Sequence, residues 1–158
     1  MNPSAVTVST LDKFVLITPF IRDEEMGCLR GGYPVALLAC RADSIGESAK
    51  YIWGAHIQGS KPALGKSEIY TALNNGELVR TLKKCIHVTR DEFSMKALCC
   101  GVDFIDDEIK IIPYRADLES HGSFGMNEKS ISVSRNGGIV EFAVALRNAF
   151  ALCENKRV

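Results

Sequence analysis

The chain has 158 residues, 46% hydrophobic and 24% charged, and its 19 basic and 19 acidic side chains cancel. Its length suits one domain, 1–158, with a real core, and the charge balance gives no electrostatic reason to expect nucleic acid binding. The longest apolar stretch near the N-terminus is about eight residues and no basic region precedes it. That is too short for a signal sequence or a membrane span, so the expectation is a soluble, cytoplasmic protein.

In chain order, the first strong signal is a β-branched apolar run at 14–19 that ends on Pro19, a strand by its length and composition. A polar, glycine-containing loop follows at 22–32, then a second strand at 35–40. Asp43 or Ser44 can cap a helix whose apolar face carries Ile45, Ala49, Ile52, Trp53 and His56.

The middle of the chain reads as helical. Residues 67–75 carry Ile69, Tyr70 and Leu73 and stop at Asn-Asn-Gly, and 77–84 place Leu78, Val79 and Leu82 at helical spacing. Thr89 caps a short helix with Asp91 and Glu92 in its first turn, and Gly101 is expected to end it. A strand at 102–105 then turns through Asp106-Asp107 into a second strand at 108–113.

After a polar loop at 115–125 comes a strand at 130–134, where Ile131 and Val133 alternate with serines. Asn136 is expected to cap a final helix with Phe142, Ala143, Leu146, Ala149, Phe150 and Cys153 on one stripe. Shifted by 94 positions, residues 14–56 lie on 108–150 without a gap, and ten of the 43 pairs are identical, Pro19/Pro113, Gly31/Gly125 and Glu47/Glu141 among them. The structural signals recur in the same order, as an internal repeat requires. The expected fold class is α/β: a mixed sheet of four or five strands covered by helices, built from a duplicated strand-loop-strand-helix unit.

Six cysteines include no Cys-x-x-Cys pair, and several fall within apolar runs, so free thiols are expected rather than disulfides or a metal site. Cys85, His87 and Asp91 sketch a thiol-imidazole-carboxylate set, but nothing nearby makes an electropositive site that would activate a thiolate. Ser120-His121-Gly-Ser123 lacks the frame of a nucleophile elbow, and there is no phosphate loop or dinucleotide fingerprint. The expectation is no catalytic residue, cofactor or metal. A small enzyme with a Cys/His site and a structural interaction module remain the alternatives.

The order of features from Lys83 to Glu154 resembles the C-terminal part of the contact-dependent growth inhibition immunity proteins. The resemblance rests on a helix ending near Cys85, the Ile-Lys-Ile-Ile-Pro strand at 109–113, the loop with His121-Gly-Ser-Phe-Gly125 and the strand at 131–134. It closes on the helix with Glu141, Ala145-Leu146-Arg147 and Cys153. One departure is Phe142-Ala143, where the family commonly has a Leu-Gly pair. The resemblance implies an inhibitor of one cognate toxin, commonly a nuclease, bound through the toxin's C-terminal domain. Carboxylates that replace phosphate contacts suit such a partner. Three acidic groups are available: Asp23-Glu24-Glu25, Asp106-Asp107-Glu108, and Asp117 with Glu119. The expected toxin-binding surface joins Asp106, Asp107, Glu108, Asp117 and Glu119 with His121 and with Phe124 as an apolar anchor.

Overall fold

A computed structural model describes residues 3–62, 64–119 and 122–157. Ten strands form one sheet: β1 (Ala5–Leu11), β2 (Phe14–Asp23), β3 (Cys28–Gly31), β4 (Val35–Ala39), β5 (Glu68–Ala72), β6 (Leu98–Ile105), β7 (Glu108–Ala116), β8 (Ser123–Gly125), β9 (Ile131–Ser134) and β10 (Glu154–Asn155). Four helices accompany them: α1 (Ser44–Ile52), α2 (Asn75–Ile86), α3 (Arg90–Lys96) and α4 (Ile139–Leu152). The strand order is β10-β7-β6-β1-β2-β4-β5, with β3 on β2 and β8 and β9 on β7. Every pairing is antiparallel except β10 with β7. The architecture is α/β, with more strands than the sequence led one to expect.

The sheet's centre is β1 against β6, where Thr7 faces Gly101. β1 went unread in the sequence, although Val6 and Val8 alternate with Thr7 and Ser9 as a strand buried on one face must. On either side the ladders run alike. Leu11 pairs with Phe14 in one hairpin and Ile105 with Glu108 in the other. Asp12 and Asp106 both take positive φ in the tight turns. Phe20 faces Gly31, and Tyr114 faces Gly125. The Gly32 amide donates to the Pro19 carbonyl at 2.7 Å, and the Met126 amide to the Pro113 carbonyl at 2.9 Å. All of these pairs are 94 positions apart. The outer pairing slips by one residue: Val15 faces Leu38, whereas Ile109 faces Val133.

One face of the sheet carries Val6, Val8, Ile17, Val102, Ile109 and Ile111, buried beneath α1 and α4, with Trp53 against Phe142 at 5.9 Å between ring centres. Asp43 caps α1, its carboxylate accepting from the Gly46 amide at 3.0 Å, and also pairs with Arg147 of α4. On the other face α2 and α3 cover the side with β2, β4 and β5, where Leu37 of the sheet packs with Leu78 and Leu82 of α2 and Phe93 of α3 in a second cluster. Beside β7 the positions 94 residues on from Phe14 and Leu16 are Glu108 and Lys110, which give a covering helix no apolar contact at that end of the strand.

Several boundaries differ from the sequence reading. Residues 68–72 form β5 on β4 rather than a helix, since Ile69, Tyr70 and Thr71 fit a pleated surface better than a helical turn. Gly101 lies inside β6, and α3 has already ended at Lys96. Gly138, not Asn136, stands at the N-terminus of α4, and no side chain caps it. The first helix is α-helical to Ile52 and continues as a π-helical turn at Trp53–Gln58.

Candidate protein-binding surface

Tight turns expose the acids at the β6–β7 corner. Asp106 adopts φ 49°, and the carbonyls of this turn are held by Arg135: its guanidinium donates to the Asp106 carbonyl at 2.9 Å and its amide to the Asp107 carbonyl at 2.8 Å. The same guanidinium stacks 5.7 Å above the Phe104 ring. The carboxylates of Asp106, Asp107 and Glu108 are left to solvent. Asp117 and Glu119 follow the far end of β7, with Asp117 3.9 Å from Arg115. Phe124 sits on β8 opposite Arg115, and its ring is 48% exposed.

These residues therefore do not make the single surface that their nearness in sequence implies. Glu108 and Asp117 stand at opposite ends of β7, and nine residues of strand separate them by roughly 30 Å. His121 lies outside the described residues. The physical reason is strand extension: residues adjacent across a helix turn would be neighbours, but residues at the two ends of a strand cannot be.

The structure instead groups the turn at 106–108 with the first acidic cluster. β2 runs antiparallel to β1, β1 to β6 and β6 to β7, so the end of β2 and the start of β7 fall on the same side. Asp23 closes the β2–β3 turn, accepting from the Glu25 and Met26 amides at 3.1 and 3.2 Å and pairing with Arg30 at 3.0 Å. A cavity of about 270 Å³ joins this arm to the β6–β7 corner, lined by Ser4, Arg22, Leu29, Asp103, Ile105 and Asp106. A smaller one of about 110 Å³ continues from it over Thr7 and Gly101, between Phe20 and Tyr114.

Asp103, Leu29 and Ile105 went unremarked as site residues in the sequence. The signal was a lone carboxylate inside the apolar run at 98–105, on the same strand face as Gly101 and Ile105. Asp103 is half-buried, and that burial raises its pKa above the usual carboxylate range against the pull of Lys110 and Arg22.

The Cys85, His87 and Asp91 set is not joined by any hydrogen bond among the described residues. Cys85 is in α2, His87 caps that helix in a left-handed conformation, and Asp91 belongs to the next helix. His56 packs edge-on to Tyr51 at 5.9 Å, and burial lowers its pKa. Among the described residues, no group of three or more His, Cys, Asp or Glu side chains is placed to hold a metal ion, and no helix is long and apolar enough to cross a membrane.

This chain has the fold of two solved structures. One is a protein of unknown function, NMB0488, from Neisseria meningitidis, with a TM-score of 0.66 and 11% identity over 98% of this chain and 99% of that one. The other is a chain of the CdiA-CT/CdiI toxin and immunity complex from Yersinia pseudotuberculosis, with a TM-score of 0.62 and 15% identity over 95% and 97%. At these identities the likeness is one of fold. No family model and no curated protein matches the sequence.

Proposed function

We propose that this chain is a bacterial immunity protein that binds one cognate contact-dependent growth inhibition toxin and neutralises it without performing chemistry. The observation that carries the reading is the likeness, over nearly the full length of both chains, to a chain of a toxin and immunity complex. The order of sequence features from Lys83 to Glu154 supports it independently. The reading places the protein in the cytoplasm, as one domain over 1–158, with the C-terminal domain of the toxin as its partner and a nuclease as the kind of toxin. The matching ladders on either side of Thr7 and Gly101 support descent from a duplicated unit, now including the hairpin strands as well as the segments at 14–56 and 108–150.

Asp106, Asp107 and Glu108 remain toxin-binding residues in this proposal, because their carboxylates project from an ordered corner. Asp117, Glu119 and Phe124 belong to a separate patch at the other end of β7, and His121 goes with them by sequence. The test is a calorimetric titration against the C-terminal domain of the toxin encoded immediately upstream, with growth rescue beside it. A 1:1 complex of nanomolar or tighter affinity with rescue supports the proposal; no binding and no rescue defeats it.

A further inference from the structure

The bare half of the sheet carries a groove with its own chemistry. Its floor is formed by β1 and β6, whose ladder runs from Ala5–Asp103 to Thr10–Leu98, so the floor has no free backbone edge to offer a new strand. Recognition there must be made by side chains. From Gly101 to Ile105 the groove follows one face of β6 for roughly 13 Å. Gly101 keeps the floor low: a Cβ there would lie 3.2 Å from Cε1 and Oη of Tyr114. Tyr114 rests on Gly125, and Phe20 in the equivalent place rests on Gly31, so two aromatic rings line the cavity over Thr7 and Gly101.

We infer that this groove is the docking site for a lysine or arginine side chain on a basic protein surface, with Asp103 as its counter-ion, Phe20 and Tyr114 as its aromatic walls and Leu29 and Ile105 as the apolar rim. Charge complementarity selects that occupant. Asp103 and Asp106 line the groove beside Arg22, and Glu24, Glu25, Asp107 and Glu108 lie at the adjoining β2–β3 and β6–β7 corners. None of those four has an ion-pair partner within 4.0 Å among the described residues. The local cations are partly engaged, Arg30 by Asp23 and Arg135 by the Asp106 carbonyl and the Phe104 ring. Lys110 and Arg22 act on Asp103 from a distance, and neither closes to an ion pair with it. A cation inserted between the rings gains both a charge-assisted hydrogen bond to Asp103 as acceptor and attraction to the aromatic rings.

The inference rests on the immunity reading for the identity of the partner, but its experiment separates the two. Asp103→Asn and Leu29→Lys are compared with Glu119→Lys and Phe124→Glu in titrations against the upstream toxin domain, each variant first checked for a native melting transition. The expected result is a loss on the order of tenfold or more in affinity for the groove variants only. In parallel, amide shifts are followed by NMR while a blocked Gly-Arg-Gly peptide is added to the wild-type chain and to Asp103→Asn. Shifts confined to Ala5, Leu29, Gly101 and Asp103, and lost in the variant, support the groove even if the toxin domain does not bind. Toxin binding that survives the groove variants and fails with Glu119→Lys or Phe124→Glu overturns the inference and leaves the immunity reading standing. Peptide shifts unchanged by Asp103→Asn overturn it as well.

Discussion

The sulfur atoms of Cys100 and Cys153 lie 3.4 Å apart, joining the middle of the sheet to the end of α4. Cys153 also lies 3.1 Å from the Cys99 carbonyl and 3.5 Å from that of Ala149. The shared hydrogen bond raises the Cys100 pKa and lowers that of Cys153. Cys28, by contrast, is exposed on the β3 arm. Iodoacetamide followed by mass spectrometry should modify Cys28 first and reach Cys40 and Cys100 only as the protein unfolds. Alkylation of Cys100 at the rate of Cys28 would mean that α4 does not close over the sheet.

Thiol burial also sets an alkaline limit. Burial pushes Cys99 up to about 11 and raises Cys40 as well. An unfolded thiol loses its proton near about 8.5, whereas the folded protein keeps it, so this stabilisation is complete below that pH and is lost as the pH climbs toward the folded value. Urea midpoints should therefore fall between about pH 8.5 and 11, and Cys99→Ala should flatten the slope. An identical slope in the variant would rule out this cause.

At the acid end the relevant group is Asp43. Its hydrogen bond from Arg147, followed by that from the Gly46 amide, lowers its pKa. A depressed carboxyl stabilises the fold above its unfolded value near about 3.9 and loses that contribution as the pH falls through the folded value. Both side chains are about half exposed, so the ion pair itself is worth little and the cap dominates. Asp43→Ala should cost about 1 kcal/mol at pH 7, with the difference from wild type shrinking below about pH 4. An equal gap at pH 3 would point to packing instead.

Leu82 tests whether the two layers are one cooperative unit. It is fully buried on the inner side of α2, on the sheet face opposite Trp53. Leu82→Ala should cost about 2–5 kcal/mol and should lower the denaturation midpoint reported by Trp53 fluorescence. A tryptophan transition that ignores the substitution would show that the α2–α3 layer unfolds by itself.

Gly101→Ala should cost about 1–3 kcal/mol, because the new methyl meets the Tyr114 ring across the strand pair. The same change should cost less in a Tyr114→Ala background, since the two positions are in contact. Additive costs in the double variant would mean that the ring yields freely.

Where chemistry repeats along the chain, sequence was a good guide. The alternation at 131–134 and the acids in the first turn of α3 correspond to observed elements, whereas Asn-Asn-Gly, expected to stop a helix, starts one: Asn74 caps α2, and Asn75 and Gly76 lie inside it. Thr89 does cap α3, accepting from the Glu92 amide at 3.1 Å. Segments of five to seven residues were harder. β1 and β5 are held by neighbours far along the chain, and local propensity carries little of that information. The surface was the least legible part, because which acids share an end of the sheet depends on strand direction. That is why Asp23 and Asp106 belong together and Glu108 and Asp117 do not.

The unequal cover on the two halves of the sheet has a consequence for how such a protein can change. Two like-built halves meeting at a central seam would, as separate chains, be bound to remain identical and to bury or bare the same surfaces. Linked in one chain, they are released from that constraint while their effective concentration stays high. The half with β2 and β4 carries α2 and α3, so its face is closed and its sequence committed to packing. The half with β6 and β7 keeps an open face on which substitutions at Lys110 or Ser132 disturb no core, so that side can vary without loss of the fold.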